Sequence, residues 1–180
     1  MTELDAGKRP VSLLAGPYGH PIHPILVTVP IGAWVGALVF DIASHLVDRP
    51  GFLTQGSEWL IALGVLGALA AAMAGFLDLF GIPTGTPAFR TGLLHMSLNL
   101  CVTGAYVGNF FWRHGNYLDG RPVSAGPLAL AAVSLAVLAV SGYLGGKLAY
   151  RYGVRVADEA TQAEGFGESR TARAHQARTN

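Results

Sequence analysis

Residues 24–46 read PILVTVPIGAWVGALVFDIASHL, a run of 23 in which Asp41 and His45 are the only ionisable side chains. A helix of that length extends about 35 Å, enough to cross the roughly 30 Å hydrocarbon core of a bilayer with some tilt. Three further blocks of the same character follow at about 58–80, 90–112 and 127–150. Of the 180 residues 51% are hydrophobic and 13% charged, and the mean hydropathy is +0.41. Soluble domains carry about a quarter charged residues. A helix pairs its own backbone groups, so four spans are the economical solution. The reading is an all-α integral membrane four-helix bundle. Residues 1–19 form a polar cytoplasmic arm, 20–152 the four-helix transmembrane domain and 153–180 a disordered cytoplasmic tail. The first block exceeds a signal-peptide core of about 7–15 residues, so it reads as a retained helix.

With four spans, both ends of the chain lie on one side. They share it with Lys8, Arg9, Arg90, Lys147, Arg151, Arg155, Arg170, Arg173 and Arg178, against Arg49, Arg113 and Arg121 on the other. The positive-inside rule places both termini in the cytoplasm.

The first and third blocks repeat one another. His23 is followed by Gly32-Ala33-Trp34-Val35-Gly36, and His95 by Gly104-Ala105-Tyr106-Val107-Gly108, an offset of 72. On the second and fourth blocks Ala74-Gly75-Phe76-Leu77 resembles Ser141-Gly142-Tyr143-Leu144, an offset of 67. Two parallel repeats of a helical hairpin, related by an axis along the membrane normal, account for both. The two histidines then sit at equal depth on diagonal helices, roughly 13 Å apart if neighbours are 8–10 Å apart. Glycine pairs at Gly32/Gly36, Gly104/Gly108 and Gly142/Gly146, with small faces at Gly64/Ala68/Ala72 and Gly67/Ala71/Gly75, suggest close helix packing. Cys101, the one cysteine, excludes an intrachain disulfide and reads as a small buried packing residue. Trp34, Trp59, Tyr106 and Trp112 read as packing or interface anchors.

His20, His23, Asp78, His95, Asn99 and Lys147 gather toward the cytoplasmic half, where ionisable groups at membrane depth usually face the bundle interior. His23 and His95 suit the two axial positions of one noncovalent haem b, since no C-x-x-C-H attachment motif is present. Asn99 shares the helix face of His95. Asp78 can accept the second N–H of a ligating histidine, or pair with Lys147. His20 stands beside the site, and Arg90 and Arg151 lie where haem propionates or anionic lipid would be met. Pro30 kinks the first helix and makes room near His23. Two other readings use the same residues: a non-catalytic scaffold or accessory subunit with cofactor-free histidines, and metal or proton handling. Asp41 and His45, with Arg113 and His114, form a possible second site on the noncytoplasmic side. No hydrolase arrangement or phosphate loop is evident, and the tail's mixed charges do not suit nucleic acid.

Gly19-His20-Pro21-Ile22-His23-Pro24-Ile25-Leu26-Val27-Thr28-Val29-Pro30-Ile31-Gly32 resembles the opening of a bacterial membrane family, domain of unknown function 2231. Gly75-Phe76-Leu77-Asp78, the segment around His95 and Asn99, and the ending Ser141–Val154 carry the resemblance further, to about residues 17–156. It implies a four-span domain in the bacterial inner membrane. Some relatives carry an attached Rieske-type iron–sulfur domain, which implies a redox setting with a quinol or redox protein as partner, and assembly with like or unlike chains. One cysteine cannot build such a cluster here. Thr28 departs from the family, many of whose members have histidine in a Val-His-Phe-Pro string.

Overall fold

The computed structural model describes residues 7–8, 12, 20–116 and 118–166, and among these it is helical without strands. A short helix α1 (His23–Leu26) leads into α2 (Thr28–Ser44), followed by α3 (Gly51–Phe80), α4 (Pro87–His114), α5 (Ala125–Tyr150) and α6 (Glu159–Phe166). Helix α2 packs on α3, α3 on α4, α4 on α5, and α5 returns to α2, most extensively within the hairpins α2–α3 and α4–α5. Three helical segments are long and apolar enough to cross a membrane: His23–Ser44, Gly51–Phe80 and Ala125–Tyr150. Only 28, 22 and 17% of their most apolar windows are buried in the protein, so their outer faces require an apolar surrounding. Helix α4 is as long, but Arg90, His95, Asn99, Asn109 and Arg113 lower its hydropathy.

Local chemistry sets the helix ends. Pro30 has no N–H for the Leu26 carbonyl, and the chain breaks one turn earlier, at Val27 between α1 and α2. Thr28 Oγ1 donates to Ile25 O at 2.7 Å on the exposed side of this break. Helix α3 starts seven residues before the expected position, because Gly51–Ser57 is polar enough to read as loop yet continues the helix. Gly85, at φ 84°, turns the chain into the Thr86 cap, whose Oγ1 accepts from Phe89 N at 3.1 Å with Pro87 opening α4.

The core stacks Trp34, Ala37, Ile61, Val102, Tyr106 and Ala131. The expected glycine faces are in part reversed. A Cβ at Gly32, Gly104, Gly108 or Gly142 would touch nothing. Gly32 precedes the inward Trp34 by two residues, about 200° around a helix of 3.6 residues per turn, and faces outward. Gly36 instead lies against Leu60 of α3, where a Cβ would stand 3.4 Å from its Cδ1. Close approach falls to α3 and α5: a Cβ at Gly64 would overlap the Trp34 indole, at Gly67 the Val29 side chain and at Gly145 the His95 ring. Cys101 is exposed, against the expectation of a buried residue, because it lies on the outer face of α4.

The segment after α5 is ordered where a disordered tail was expected. Gly153 at φ 66° ends the helix, with its N–H on Ala149 O and that of Val154 on Leu148 O. Arg155 follows at φ 59°, and its N–H reaches Gly7 O at 2.9 Å. Helix α6 then begins after Asp158. The remaining residues of the expected arm and tail lie outside those described.

Candidate functional site

Three pairs of side chains, each 72 positions apart, meet between α1–α2 and α4. His23 and His95 stand with ring centroids 6.2 Å apart and planes at 87°. One level on, Trp34 and Tyr106 stack at 4.1 Å and 9°. At the far end Arg113 grips Asp41 with two hydrogen bonds, Nη1–Oδ1 at 2.9 Å and Nη2–Oδ2 at 3.1 Å. The first two pairs also reach equivalent places on the following helices. His23 Nδ1 lies 2.8 Å from Ala71 O and His95 Nδ1 lies 2.8 Å from Ser141 O. Trp34 Nε1 donates to Ile61 O and Tyr106 OH to Ala131 O. The partner carbonyls are thus 70 residues apart. That spacing differs by three residues, about one helical turn, from the offset of 67 read from Ala74–Leu77.

At the histidine end a backbone carbonyl can only accept, so both Nδ1 atoms carry a proton, and in the neutral form of each ring Nε2 is the atom with the lone pair. The contacts with Gly75 and Gly145 pin the rings further. A Cβ at Gly75 would stand 2.8 Å from His23 Cε1, and one at Gly145 would stand 3.1 Å from His95 Cε1. The two environments then diverge. Asn99 Nδ2 donates to His95 Nε2 at 3.1 Å and to His95 O at 2.9 Å. Val27 occupies the position equivalent to Asn99 and offers His23 nothing comparable.

Asp78 does not serve either histidine as a hydrogen-bond acceptor, nor does it take Lys147. It pairs with Arg155, Nε–Oδ1 2.8 Å, with both side chains nearly buried. Lys147 instead lies over the Tyr152 ring, 5.5 Å from its centroid. His20 and Arg90 are exposed and do not join the pair. The structure therefore brings together His23, His95 and Asn99, sets Asp78 at the edge one turn past Gly75, and leaves His20 and Arg90 outside.

A metal fits this pair in one way. A nonhaem ion takes about four ligands, mostly from the protein. Among the described residues no group of three or more His, Cys, Asp or Glu side chains is arranged to hold one. Two imidazoles bonded through Nε2 to a shared iron at ~2 Å per bond would place their centroids roughly 6 Å apart, close to the 6.2 Å observed. A haem iron asks the protein for only two such ligands. His23 and His95 are the two residues that would hold it, and His95 Nε2, which accepts from Asn99 Nδ2 at 3.1 Å, would be open to iron with that amide turned away.

The opposite end joins residues of the expected second site to three that the sequence did not single out, Ser57, Glu58 and Asn109. Arg113 Nε donates to Asn109 Oδ1 at 2.9 Å and Nη1 to Ser57 Oγ at 3.0 Å, while Ser57 donates to Ala37 O. Asp41 and Arg113 thus come together as the sequence suggested, whereas His45 is exposed and His114 pairs with Glu58. Glu58 stands at the first position of the span expected over 58–80, yet it is buried. The 72-residue register past Trp34 and Tyr106 also relates Asp41 to Arg113. No comparable signal exists for Arg155, whose placement depends on two successive left-handed turns.

The fold and this interior polarity define a helical membrane protein. The family described as predicted membrane protein (DUF2231) matches residues 19–158, and the chain belongs to it. No curated protein and no solved structure matches.

Proposed function

We propose that this chain is a four-span electron-transfer protein of the bacterial inner membrane, built from two parallel hairpin repeats, that holds one haem b between His23 and His95. The observation carrying this reading is the histidine pair itself, 6.2 Å apart with both Nδ1 atoms committed to backbone carbonyls. Ligating histidines usually donate their second N–H in this way, which fixes tautomer and ring orientation and raises ligand basicity. When bound, the haem supplies a one-electron couple. The carbonyls of Ala71 and Ser141 aim the Nε2 lone pairs, Gly75 and Gly145 leave room for the rings, and the Trp34–Tyr106 stack closes the interior beneath them.

The repeats are supported by three cross-axis pairs at one offset and, for two of them, by partner carbonyls at another. Four spans are supported by the sidedness of α4. Asn109, Arg113 and Tyr106 are buried, whereas Leu93, Leu94, Leu100, Phe111 and Trp112 face outward. Both termini belong in the cytoplasm by the distribution of Lys and Arg. A quinol or a redox protein is the partner class suited to a one-electron carrier.

The test is an absorption spectrum of the purified protein from cells supplied with haem precursor. A Soret band that shifts on dithionite reduction, and is lost in His23→Ala and His95→Ala, is the expected result. A colourless wild-type protein would overturn the proposal. The bond from Asn99 to His95 Nε2 favours a second reading, in which the histidines tie helices together in a cofactor-free scaffold. That reading predicts loss of stability in the same variants without any spectrum to lose.

A further inference from the structure

Glu58 lies in the second turn of α3, at the end opposite the histidine pair and about 20 Å along the helix from Ala71. Its side chain is 4% exposed. Oε1 is 2.7 Å from His114 Nδ1, while Oε2 is buried with no hydrogen-bond partner. His114, on the last turn of α4, is 56% exposed in its side chain and stacks on Phe110 at 5.4 Å. One group of the pair is therefore closed off from water and the other is open to it.

The charges around Glu58 leave its neutralisation to this partner. From α2 comes Asp41, already gripped by Arg113. From α4 come Arg113 and His114, and the Arg113 guanidinium is committed to Asp41, Ser57 and Asn109. Helix α5 has no ionisable residue before Tyr143. His45, Asp48 and Arg49 in the loop after α2 are exposed, as are Asp119 and Arg121 in the loop after α4, which packs on the start of α3 through Thr54 Oγ1 and Arg121 O. Asp41 and Arg113 cancel, so Glu58 is the remaining buried charge. A lone carboxylate in an apolar interior is costly, and a proton on the pair removes that cost. The positions equivalent by the repeat offsets are Leu128 and Ile42, so the second hairpin folds without such a pair.

We infer that Glu58 and His114 form a proton-exchange site on the face opposite the histidine pair, with His114 as the port and Glu58 as the interior acceptor. A proton from water adds to Nε2 of the neutral ring, and the proton on Nδ1 passes to Oε1 of Glu58. The ring is left neutral in its other tautomer and the carboxylate becomes a carboxylic acid. The reverse sequence returns the proton. No cofactor takes part, so this site stands apart from the haem proposal.

The test uses the full chain in lipid nanodiscs, with carbon-13 glutamate for infrared titration and nitrogen-15 histidine for NMR. A carboxylic-acid C=O band that responds to the glutamate label and to deuterium oxide is expected to appear on acidification. It should share its midpoint with the His114 ring signal, as a coupled pair does. Glu58→Gln should abolish the band, and His114→Asn should separate it from any histidine signal. A band that persists in Glu58→Gln, or Glu58 and His114 signals with unrelated midpoints in the unmodified protein, would overturn the assignment. The second comparison needs no variant and holds even if a substituted chain fails to fold.

Discussion

Asp41 and Arg113, 72 residues apart, form a bidentate ion pair across the interior, with side chains 0% and 4% exposed. Removing one partner leaves the other buried and unpaired, at a cost of about 3–5 kcal/mol. Asp41→Asn and Arg113→Met should each lower thermal stability in detergent markedly. The double variant Asp41→Leu/Arg113→Met should recover part of the loss, since two apolar groups leave no orphaned charge. A double variant as unstable as the sum of the singles would refute the coupling.

Glycine substitutions separate inward from outward faces. Gly64→Ala and Gly75→Ala press a methyl group into Trp34 and His23, and overpacking of this kind costs about 1–3 kcal/mol. Gly104→Ala and Gly108→Ala meet open space and should be neutral or stabilising by about 0.4–1 kcal/mol through reduced chain entropy. Unfolding midpoints of the four variants give the check. Equal losses at all four would mean that α4 packs through its glycines after all.

In the proposed haem site Asn99, whose Nδ2 is 3.1 Å from His95 Nε2, would compete with iron for that nitrogen. Asn99→Val copies the Val27 side of the repeat and removes the competitor. Haem titrated into the apoprotein should bind more tightly, by up to about tenfold if one ordinary hydrogen bond of 0.5–1.5 kcal/mol is released. Weaker binding would make Asn99 a supporting group rather than a competing one.

Asp158 caps α6, its Oδ1 accepting from Thr161 N at 2.8 Å. That backbone hydrogen bond holds its carboxyl below the ordinary aspartate value. Because the folded value is depressed, the capping contribution is complete above the unfolded value and disappears as pH falls through the folded one. Amide shifts of residues 159–166 should therefore move toward coil on acidification, and Asp158→Ala should place them there at neutral pH. A helix indifferent to both would show that the cap contributes nothing.

Much of this arrangement is legible in the sequence because it depends on repetition. The apolar blocks locate the helices within a few residues except at the start of α3, seven residues early, and the shared offset pairs His23 with His95 and Trp34 with Tyr106. The same offset contains Asp41 and Arg113, although the charges differ and hide the correspondence. What stays hidden depends on helix rotation and on chain reversal. Glycine spacing does not say which face is inward until Trp34 is known to fill the interior. Arg155 reaches Asp78 only because Gly153 and Arg155 both adopt left-handed backbone conformations. Glu58 looks like the polar edge of a span, but α3 begins at Gly51 and carries it inside.

The most direct test of the histidine site is electron paramagnetic resonance of the oxidised, haem-supplied protein. Imidazole planes at 87° predict a low-spin ferric signal of the strongly anisotropic kind given by two nearly perpendicular axial imidazoles. A high-spin signal, or no haem signal at all, would contradict the assignment of His23 and His95 as paired ligands.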